Sequence, residues 1–294
     1  MNPAHASVIA DAGAIACAAL DDSTGSAEVI AVFRRAIYVR LPGNQLVALT
    51  DRTVPRGPLH VRMAVLPSVR RGQLIQLGAG AVLGIGDLTI EVRSPGWTGS
   101  QPTGSDLCGA YEVARLLPGD LPLPAPLDRS GCVAGADAAV ARGDLLALAG
   151  LLGGLGPGLT PAGDDVLAGV LFVAALAADD ARRGVLTRVV PAARTNDIAA
   201  AFLTCAALGQ SIEPAHELVD TLAQRDLGRA VQAHGRLVRF GASSGQALAY
   251  GIVLALRSLP CLATGRSHEY GKLMRSSSAV VRPPFVHVTS RSAM

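Results

Sequence analysis

The length and composition of the apolar segments change near residue 95. Before it, short runs rich in Val, Ile and Leu alternate with turn residues such as Pro42-Gly43-Asn44 and Pro55-Arg56-Gly57-Pro58. After it, Ala- and Leu-rich segments of helical length dominate. Evenly spaced short apolar runs separated by turn residues are typical of antiparallel β structure. Because segments of helical length follow them, the sequence predicts an α+β protein. An N-terminal antiparallel β domain, a sheet or small barrel, is expected to precede a mainly α-helical C-terminal domain.

The same patterns divide the chain into five expected regions. Small apolar residues from Ala6 to Leu20 suit a helix, and Ser94 to Ser105 lacks periodicity and is rich in Pro, Gly, Ser and Thr. The last segment mixes Ser, Arg and Pro without a period. The predicted regions are an N-terminal helical segment at 1–24, the β domain at 25–95, a linker and connecting helix at 96–130, a helical domain with a Gly/Pro loop at 131–260, and a loose tail at 261–294.

Composition excludes several classes of protein. A net charge of +3 and only 3% aromatic residues provide neither the basic surface nor the stacking residues of a nucleic-acid binder. The five cysteines form no C-x-x-C pair, which favours a reducing compartment. No signal peptide is recognisable, and the most apolar stretch, Val166 to Ala178, is shorter than the ~20 residues of a membrane-spanning helix. We therefore expect a cytoplasmic protein that engages neither nucleic acid nor membrane.

The stretch from Gly156 to Asp165 combines flexible glycines, a hydroxyl group and two carboxylates within ten residues: Gly-Pro-Gly-Leu-Thr-Pro-Ala-Gly-Asp-Asp. Thr160 suits an N-cap and Pro161 the first helical position, so a helix should start there. Flexible glycines before a helix N-terminus allow free N–H groups to face an anion. The adjacent carboxylates of Asp164 and Asp165 suit the helix dipole or a hydrated Mg²⁺. Two interpretations stay open at this point: a capped structural turn with solvated aspartates, or an anion site.

This region resembles a known bacterial family. The string Gly-Leu-Gly-Pro-Gly-Leu-Thr-Pro-Ala-Gly-Asp-Asp at 154–165 is similar to the signature of the AllH-like family, which includes a subunit of oxamate carbamoyltransferase, the last enzyme of anaerobic allantoin breakdown. The resemblance extends from about Leu145 to Leu256 and includes the Gly-Ala-Ser-Ser-Gly segment at 241–245. It also matches the β-then-α order of the chain.

The resemblance implies a subunit of a hetero-oligomeric carbamoyltransferase of purine catabolism. The reaction converts oxalurate and phosphate into oxamate and carbamoyl phosphate, so oxamate, carbamoyl phosphate or phosphate is the implied ligand, and other subunits are the implied partners. Asp164 and Asp165 would be catalytic and would hold Mg²⁺ if a metal is used. The implied substrate-binding residues are Gly156, Gly158, Thr160 and Gly163 in the Gly/Pro loop. Ser243, Ser244 and Gly245 would form the second wall of the same substrate site.

One departure from the family pattern is visible beside the second wall. Relatives often place an acidic residue directly after Ser-Ser-Gly, whereas this chain has Gln246 and Ala247. If that carboxylate is catalytic or binds metal, the substrate or the activity of this member is altered. The β region between Glu28 and Arg93 adds nine arginines against four acidic residues. Some of these guanidinium groups could bind an oxyanion with two hydrogen bonds, and a solvated or subunit-docking face is the alternative.

Two other functions compete with a transferase. A non-catalytic assembly subunit would bind the same metabolite and dock through the basic β face. A serine hydrolase is suggested by the G-x-S-x-G pattern at 241–245, but that motif needs a preceding strand, and Ala230 to Phe240 favours a helix. The only acidic residue after this motif is Glu269, and the only histidines after it are His268 and His287. The sequence therefore offers few candidates for the acid and the base of a catalytic triad. The histidines show no metal-ligand spacing.

Overall fold

The computed structural model describes residues 6–116, 127, 132–178 and 180–262. The first part is a closed barrel of eight strands, and helices follow it. The strands are β1 Ala6–Gly13, β2 Gly25–Val32, β3 Ala36–Arg40, β4 Leu46–Asp51, β5 His60–Met63, β6 Leu74–Gly78, β7 Val82–Ile85 and β8 Leu88–Trp97. The α-helices are α1 Ala14–Asp21, α2 Gly104–Leu116, α3 Cys132–Ala141, α4 Leu145–Leu152, α5 Ala162–Leu176, α6 Asp180–Leu186, α7 Asp197–Ala207, α8 Glu213–Ala223, α9 Leu227–Val238, α10 Ser244–Arg257 and α11 Leu259–Leu262.

The barrel closes because alternate residues of each strand are apolar and point inward. Along β3, Ile37 and Val39 are buried while Tyr38 lies between them on the outer face. Leu49 of β4 and Val61 of β5 join the same interior core. Helix α1 contributes further buried side chains to this core. The strand order around the barrel is β1-β5-β4-β3-β2-β6-β7-β8.

The predicted fold class needs correction, because the β domain is not an antiparallel structure. Two pairs of neighbours, β1 with β8 and β4 with β5, run parallel, so the sheet is mixed and closed. The predicted helix over Ala6 to Leu20 is also wrong in its first half, where β1 occupies Ala6–Gly13 and only Ala14–Asp21 is helical. Small apolar residues suit either structure, and here pairing with β5 and β8 on both sides outweighs local preference.

Some predicted regions fall partly or wholly outside the described residues. Helix α2, Gly104–Leu116, lies in the region predicted as a linker and connecting helix at 96–130. Residues 117–126 and 128–130 of that region lie outside the described residues, as do residues 263–294 of the tail predicted at 261–294. Within the described ranges, no helix is both long and apolar enough to span a bilayer.

Helix α5 is the centre of the helical part and is buried on almost every side. It crosses α10 at very short distance, because glycines stand at the contact. A Cβ atom at Gly251 would lie 2.1 Å from the carbonyl oxygen of Val166, and one at Gly169 would lie 2.5 Å from that of Leu248. This backbone-to-backbone contact brings the N-termini of α5 and α10 together, and both face the barrel.

Candidate functional site: a cavity between the barrel and two helix N-termini

A cavity of about 660 Å³ lies between the outer face of the barrel and the helical part. Strands β3, β4 and β5 and the β4–β5 loop form one wall. The N-terminal ends of α5 and α10, with parts of α7, α8 and α9, form the other. This volume is within the range of small-molecule sites in proteins.

The strand register explains the polar groups on the barrel wall. Tyr38 of β3 pairs with Ala48 of β4, which pairs with His60 of β5, so these three side chains form one row on the outer face. Thr50 and Arg62 are paired two residues further along and form the next row. Because Ala48 is small, it leaves space between the rings of Tyr38 and His60. The barrel wall therefore presents a phenol, an imidazole, a hydroxyl and a guanidinium to the cavity.

Among the residues of the helical part that line the same cavity are Thr160, Asp165 and Ser244. The Thr160 and Ser244 hydroxyl oxygens are 3.0 Å apart. The Ser244 side chain also hydrogen-bonds to the Asp165 carboxyl. When Ser244 donates to Asp165, its oxygen is free to accept from Thr160, and the three groups form a chain along the helical wall.

The helix start differs by one residue from the sequence prediction. Helix α5 begins at Ala162, and Pro161, with extended backbone, is its N-cap residue. Thr160 therefore does not cap the helix, and its hydroxyl pairs with Ser244 instead. At α10, Ser243 occupies the N-cap position but makes no capping hydrogen bond with its side chain. Neither Thr160 nor Ser244, which both line the cavity, thus serves as a side-chain cap of α5 or α10.

Asp164 is only 2% exposed, and both its carboxyl oxygens have partners within the protein. Oδ1 accepts from the backbone N–H of Gly154 at 2.9 Å, and Oδ2 accepts from the hydroxyl of Thr195 at 2.5 Å. Burial raises the pKa of Asp164, and these two hydrogen bonds oppose the rise. The contacts tie the Gly/Pro loop to the segment that precedes α7, so Asp164 holds the local structure together.

Asp165, unlike Asp164, has a carboxyl oxygen that is not engaged in a hydrogen bond with the described residues. Its Oδ2 atom is buried and has no hydrogen-bond partner among the described residues. Burial raises the pKa of Asp165 to about 8, the hydrogen bond from Ser244 lowers it, and the negative charge of Asp164 raises it further. At neutral pH the carboxyl group is therefore mainly neutral. A protonated carboxyl can donate a hydrogen bond or a proton to a molecule in the cavity.

His60 and Thr50 are cavity residues that the sequence analysis did not identify. His60 Nδ1 is 2.9 Å from the carbonyl oxygen of Pro55, which requires Nδ1 to carry the proton and leaves Nε2 as an acceptor. Burial lowers the pKa of His60 to about 4, the Pro55 carbonyl opposes this, and nearby Arg62 lowers it further. Thr50 Oγ1 is buried without a partner in the described part of the chain. Each wall of the cavity thus includes a residue, Thr50 or Asp165, with a buried polar atom that has no partner in the described part of the chain.

Tyr38 responds to the same environment. Burial raises its pKa to about 12, and the negative charge of Asp165 adds to the rise. Tyr38 therefore keeps its phenolic proton at neutral pH and is a hydrogen-bond donor. Tyr38 lines the cavity from the barrel wall and Asp165 from the helical wall.

Positive charge lines the cavity as well. Arg35, Arg52 and Arg62 come from the barrel side, and Arg236 and Arg239 from the end of α9. Three of them have acidic partners: Arg35 with Asp51 at 3.7 Å, Arg62 with Asp11 at 3.2 Å and Arg236 with Glu217 at 2.6 Å. Of the nine arginines noted between Glu28 and Arg93, the structure thus brings these three barrel residues to the cavity.

The remaining residues named from the sequence, Gly156, Gly158, Gly163, Ser243 and Gly245, are not among those that line the cavity. The N–H of Gly163 donates to the carbonyl of Leu155 at 2.9 Å, and a Cβ atom at Gly163 would lie 2.0 Å from the carbonyl oxygen of Leu152. Gly245 makes an equally close approach, with a Cβ distance of 1.9 Å to Leu237 O. These two glycines permit tight contacts between helices, and direct substrate contact by the loop glycines stays a prediction.

A Mg²⁺ ion held by both aspartates does not fit these donors well. The two oxygens of Asp164 are already engaged, and the raised pKa of Asp165 disfavours the carboxylate that Mg²⁺ requires. The described residues also contain no group of three or more His, Cys, Asp or Glu side chains arranged to hold a metal. Coordination of Mg²⁺ by Asp165 together with a bound phosphate remains a prediction.

The hydrolase alternative lacks its structural context. The residues before Gly241 belong to α9, Leu227–Val238, so no strand leads into the Gly-Ala-Ser-Ser-Gly turn. Glu269, His268 and His287 lie outside the described residues. The departure at Gln246 and Ala247 falls inside α10, where Ala247 is fully buried in the helical core.

The fold and the cavity define a barrel-plus-helix protein with a polar cleft between the barrel and the helices. A family model described as oxamate carbamoyltransferase subunit AllH matches residues 152–256. The match confirms the resemblance drawn from the Gly154–Asp165 string, and it runs from the end of α4 to α10. No curated protein and no solved structure matches the chain. The barrel wall lies outside the matched range, so its part in the site rests on geometry alone.

Proposed function

We propose that this chain is a subunit of a carbamoyltransferase and that its cavity binds a small carboxylated amide of the oxalurate and oxamate type. The observation that carries the proposal is the Asp165 carboxyl group, which lines a cavity that also contains five arginines and whose buried Oδ2 has no hydrogen-bond partner among the described residues. The family match over 152–256 supports the reaction class. In this proposal the chain acts in purine catabolism, in the cytoplasm, and as part of a hetero-oligomeric complex.

The chemistry of such a ligand suits the two walls. Oxamate and oxalurate carry one carboxylate, amide N–H donors and carbonyl acceptors. Arg52 and Arg239 form no ion pair in the described part of the chain and provide charge for the carboxylate or for phosphate. His60 Nε2 accepts an amide N–H, and the hydroxyls of Tyr38, Thr50, Thr160 and Ser244 serve the carbonyl oxygens.

The proposed reaction needs a proton at a particular atom. An oxygen of hydrogen phosphate forms a bond to the carbamoyl carbon of oxalurate, and the bond from that carbon to the amide nitrogen breaks. The nitrogen takes the electron pair and must gain a proton to leave as oxamate. In this proposal the neutral Asp165 carboxyl gives its proton to that nitrogen and regains one from hydrogen phosphate. The products are oxamate and carbamoyl phosphate.

Asp165→Asn is the variant that tests this role. Asn keeps the size of the side chain and a hydrogen-bond donor but cannot transfer a proton. We expect the variant, assembled with its partner subunits, to bind oxamate and to lose phosphorolysis of oxalurate by about 100-fold or more. Asp87→Asn is a matched control on an exposed turn of the barrel. It should retain full activity.

The outcomes separate catalysis from simple binding. Full activity of Asp165→Asn would refute the proton-transfer role. Oxamate binding without turnover by the wild-type chain, even with its partners present, would instead indicate a metabolite-binding or assembly subunit. Labelling of Ser243 by a fluorophosphonate probe would point to a hydrolase.

A further inference from the structure

A second cavity, of about 420 Å³, lies on the outer surface of the barrel and has a different chemistry. Strands β1, β5 and β8 and the β4–β5 loop form it. Its lining consists of Ile9, Ala10, Asp11, Arg52, Arg56, Arg62 and Arg93. Four guanidinium groups against one carboxylate leave an excess of three positive charges in the lining.

The strand register holds these charges together. Asp11 of β1 pairs with Arg62 on β5 and with Arg93 on β8, so the carboxylate lies between two arginines in one row of the outer face. Arg52 and Arg56 belong to the connection between β4 and β5 and complete the cavity from the side. The cluster is therefore fixed by backbone pairing and is not a chance meeting of flexible side chains.

The acidic groups nearby satisfy only part of the cluster. Asp11 Oδ2 accepts from Arg56 Nε at 3.3 Å and from Arg62 Nη1 at 3.2 Å, and Glu213 accepts from Arg56 Nη1 at 3.3 Å. No ion pair of Arg52 or Arg93 is formed within the described ranges. Arg62 Nε is buried and has no partner there either. The cavity thus offers more N–H donors than acceptors, which is the complement of a multiply charged oxyanion.

We infer that this second cavity binds a phosphate-bearing small molecule. A phosphate group supplies two negative charges and several acceptor oxygens, which match the charge excess and the unused guanidinium donors better than a single carboxylate does. The cavity is much larger than a phosphate ion, and Ile9, which is 50% exposed on the same face of β1 as Asp11, gives an apolar surface for an organic portion. Arg52 and Arg62 line both cavities, so the two sites are neighbours.

Calorimetric titration with inorganic phosphate tests the inference. The double variant Arg56→Gln/Arg93→Gln removes two charges from the second cavity only, since neither residue lines the first. Arg70→Gln/Arg71→Gln removes the same charge from exposed positions outside both cavities and is the matched control. Because Arg56 also forms ion pairs with Asp11 and Glu213, the double variant could be misfolded. The single variant Arg93→Gln, which keeps these ion pairs, tests the second cavity without that risk.

We expect two phosphate ions per wild-type chain and per control chain, and one per double-variant chain. Arg93→Gln should weaken the second binding event by about tenfold or more. Equal phosphate stoichiometry and affinity in the double variant and the control would overturn the inference. One ion in the wild type and none in the double variant would support the second site while contradicting phosphate binding in the first cavity, so the two proposals fail separately.

Discussion

The hydroxyl of Thr195 donates a hydrogen bond to Oδ2 of Asp164 over 2.5 Å. With the Gly154 N–H on Oδ1, this contact occupies the first of two adjacent carboxyl groups. The second, Asp165, keeps an oxygen without a partner in the described part of the chain and reaches the cavity. The two neighbouring aspartates in one helical turn thus differ in their surroundings: Asp164 is hydrogen-bonded to the loop, and Asp165 lines the cavity.

Loss of the Asp164 contacts should destabilise the protein without changing the chemistry directly. Asp164→Ala leaves the Thr195 hydroxyl and the Gly154 N–H without their acceptor, and we expect the free energy of unfolding to fall by about 1–3 kcal/mol. Urea denaturation measures this change. Thr195→Ser, which keeps the hydroxyl, should be much milder than Thr195→Val. Equal stability of Asp164→Ala and the wild type would show that the loop is held by other contacts.

Binding of oxamate should depend on pH through Asp165. Burial raises the pKa of Asp165 to about 8, so below this value the carboxyl is neutral and donates, and above it an anion faces the ligand. Oxamate keeps one negative charge from about pH 6 to about pH 9.5, so its own ionisation does not interfere. We expect its affinity to fall by about tenfold per pH unit above the pKa of Asp165.

Asp165→Asn provides the control for this titration, because it cannot ionise and should give a flat profile. The same group affects stability with a defined sign. Its pKa is higher in the folded state than the ordinary value of 3.8, so its stabilising contribution is greatest in acid and is lost as the pH rises toward about 8. The stability of the wild type relative to Asp165→Asn should therefore decline over that window. A pH-independent difference would argue that Asp165 titrates normally.

Acid should destabilise the fold through two buried histidines. Burial lowers the pKa values of His60 and His216 to about 4, and backbone hydrogen bonds to Pro55 and Ser100 respectively oppose the shifts. Because the folded values lie below the ordinary 6.5, their contribution is intact above about pH 6.5 and is lost as the pH falls toward about 4.

Denaturation at a series of pH values should show this loss, and the double variant His60→Gln/His216→Gln should show a much shallower slope. In His216, Nε2 accepts from the Ser211 N–H at 3.1 Å, so protonation also breaks a hydrogen bond. An unchanged slope in the double variant would assign the acid transition to other groups.

Two glycines in neighbouring helices should respond oppositely to alanine. At Gly163 a Cβ atom would lie 2.0 Å from Leu152 O, so Gly163→Ala must push α4 away from α5 and should cost about 3 kcal/mol. At Gly150, an exposed position in α4, a Cβ atom would meet nothing within 4 Å, and Gly150→Ala should stabilise by about 0.5–1 kcal/mol. Thermal unfolding distinguishes the two. Equal effects would contradict the close contact at Gly163.

Local patterns in the sequence predicted many strands but not how they are paired. The short apolar run that ends before the predicted turn Pro42-Gly43-Asn44 forms β3, Ala36–Arg40, where buried residues alternate with partly exposed ones. The parallel pairing of β1 with β8 joins residues more than 70 positions apart in the chain, and no local pattern reports it. The same long-range pairing turns Ala6–Gly13 from an expected helix into a strand.

In the candidate site, too, the sequence predicted some of the residues and missed others. Thr160, Asp165 and Ser244 were named from the sequence, and the structure brings them to one cavity. Tyr38 and His60 were missed because single polar residues in apolar runs look ordinary one strand at a time. A signal was present, since polar residues alternate along or just after three neighbouring strands: Tyr38 and Arg40 on β3, Thr50 on β4 with Arg52 directly after it, and His60 and Arg62 on β5.

The most direct measurement is a crystal structure of the chain soaked with oxamate. The account predicts the ligand in the cavity between the barrel and the α5 and α10 N-termini, within hydrogen-bonding distance of Asp165 Oδ2 and the Ser244 hydroxyl. Oxamate bound elsewhere, or an empty cavity at saturating oxamate with Asp165 still unpartnered, would contradict it.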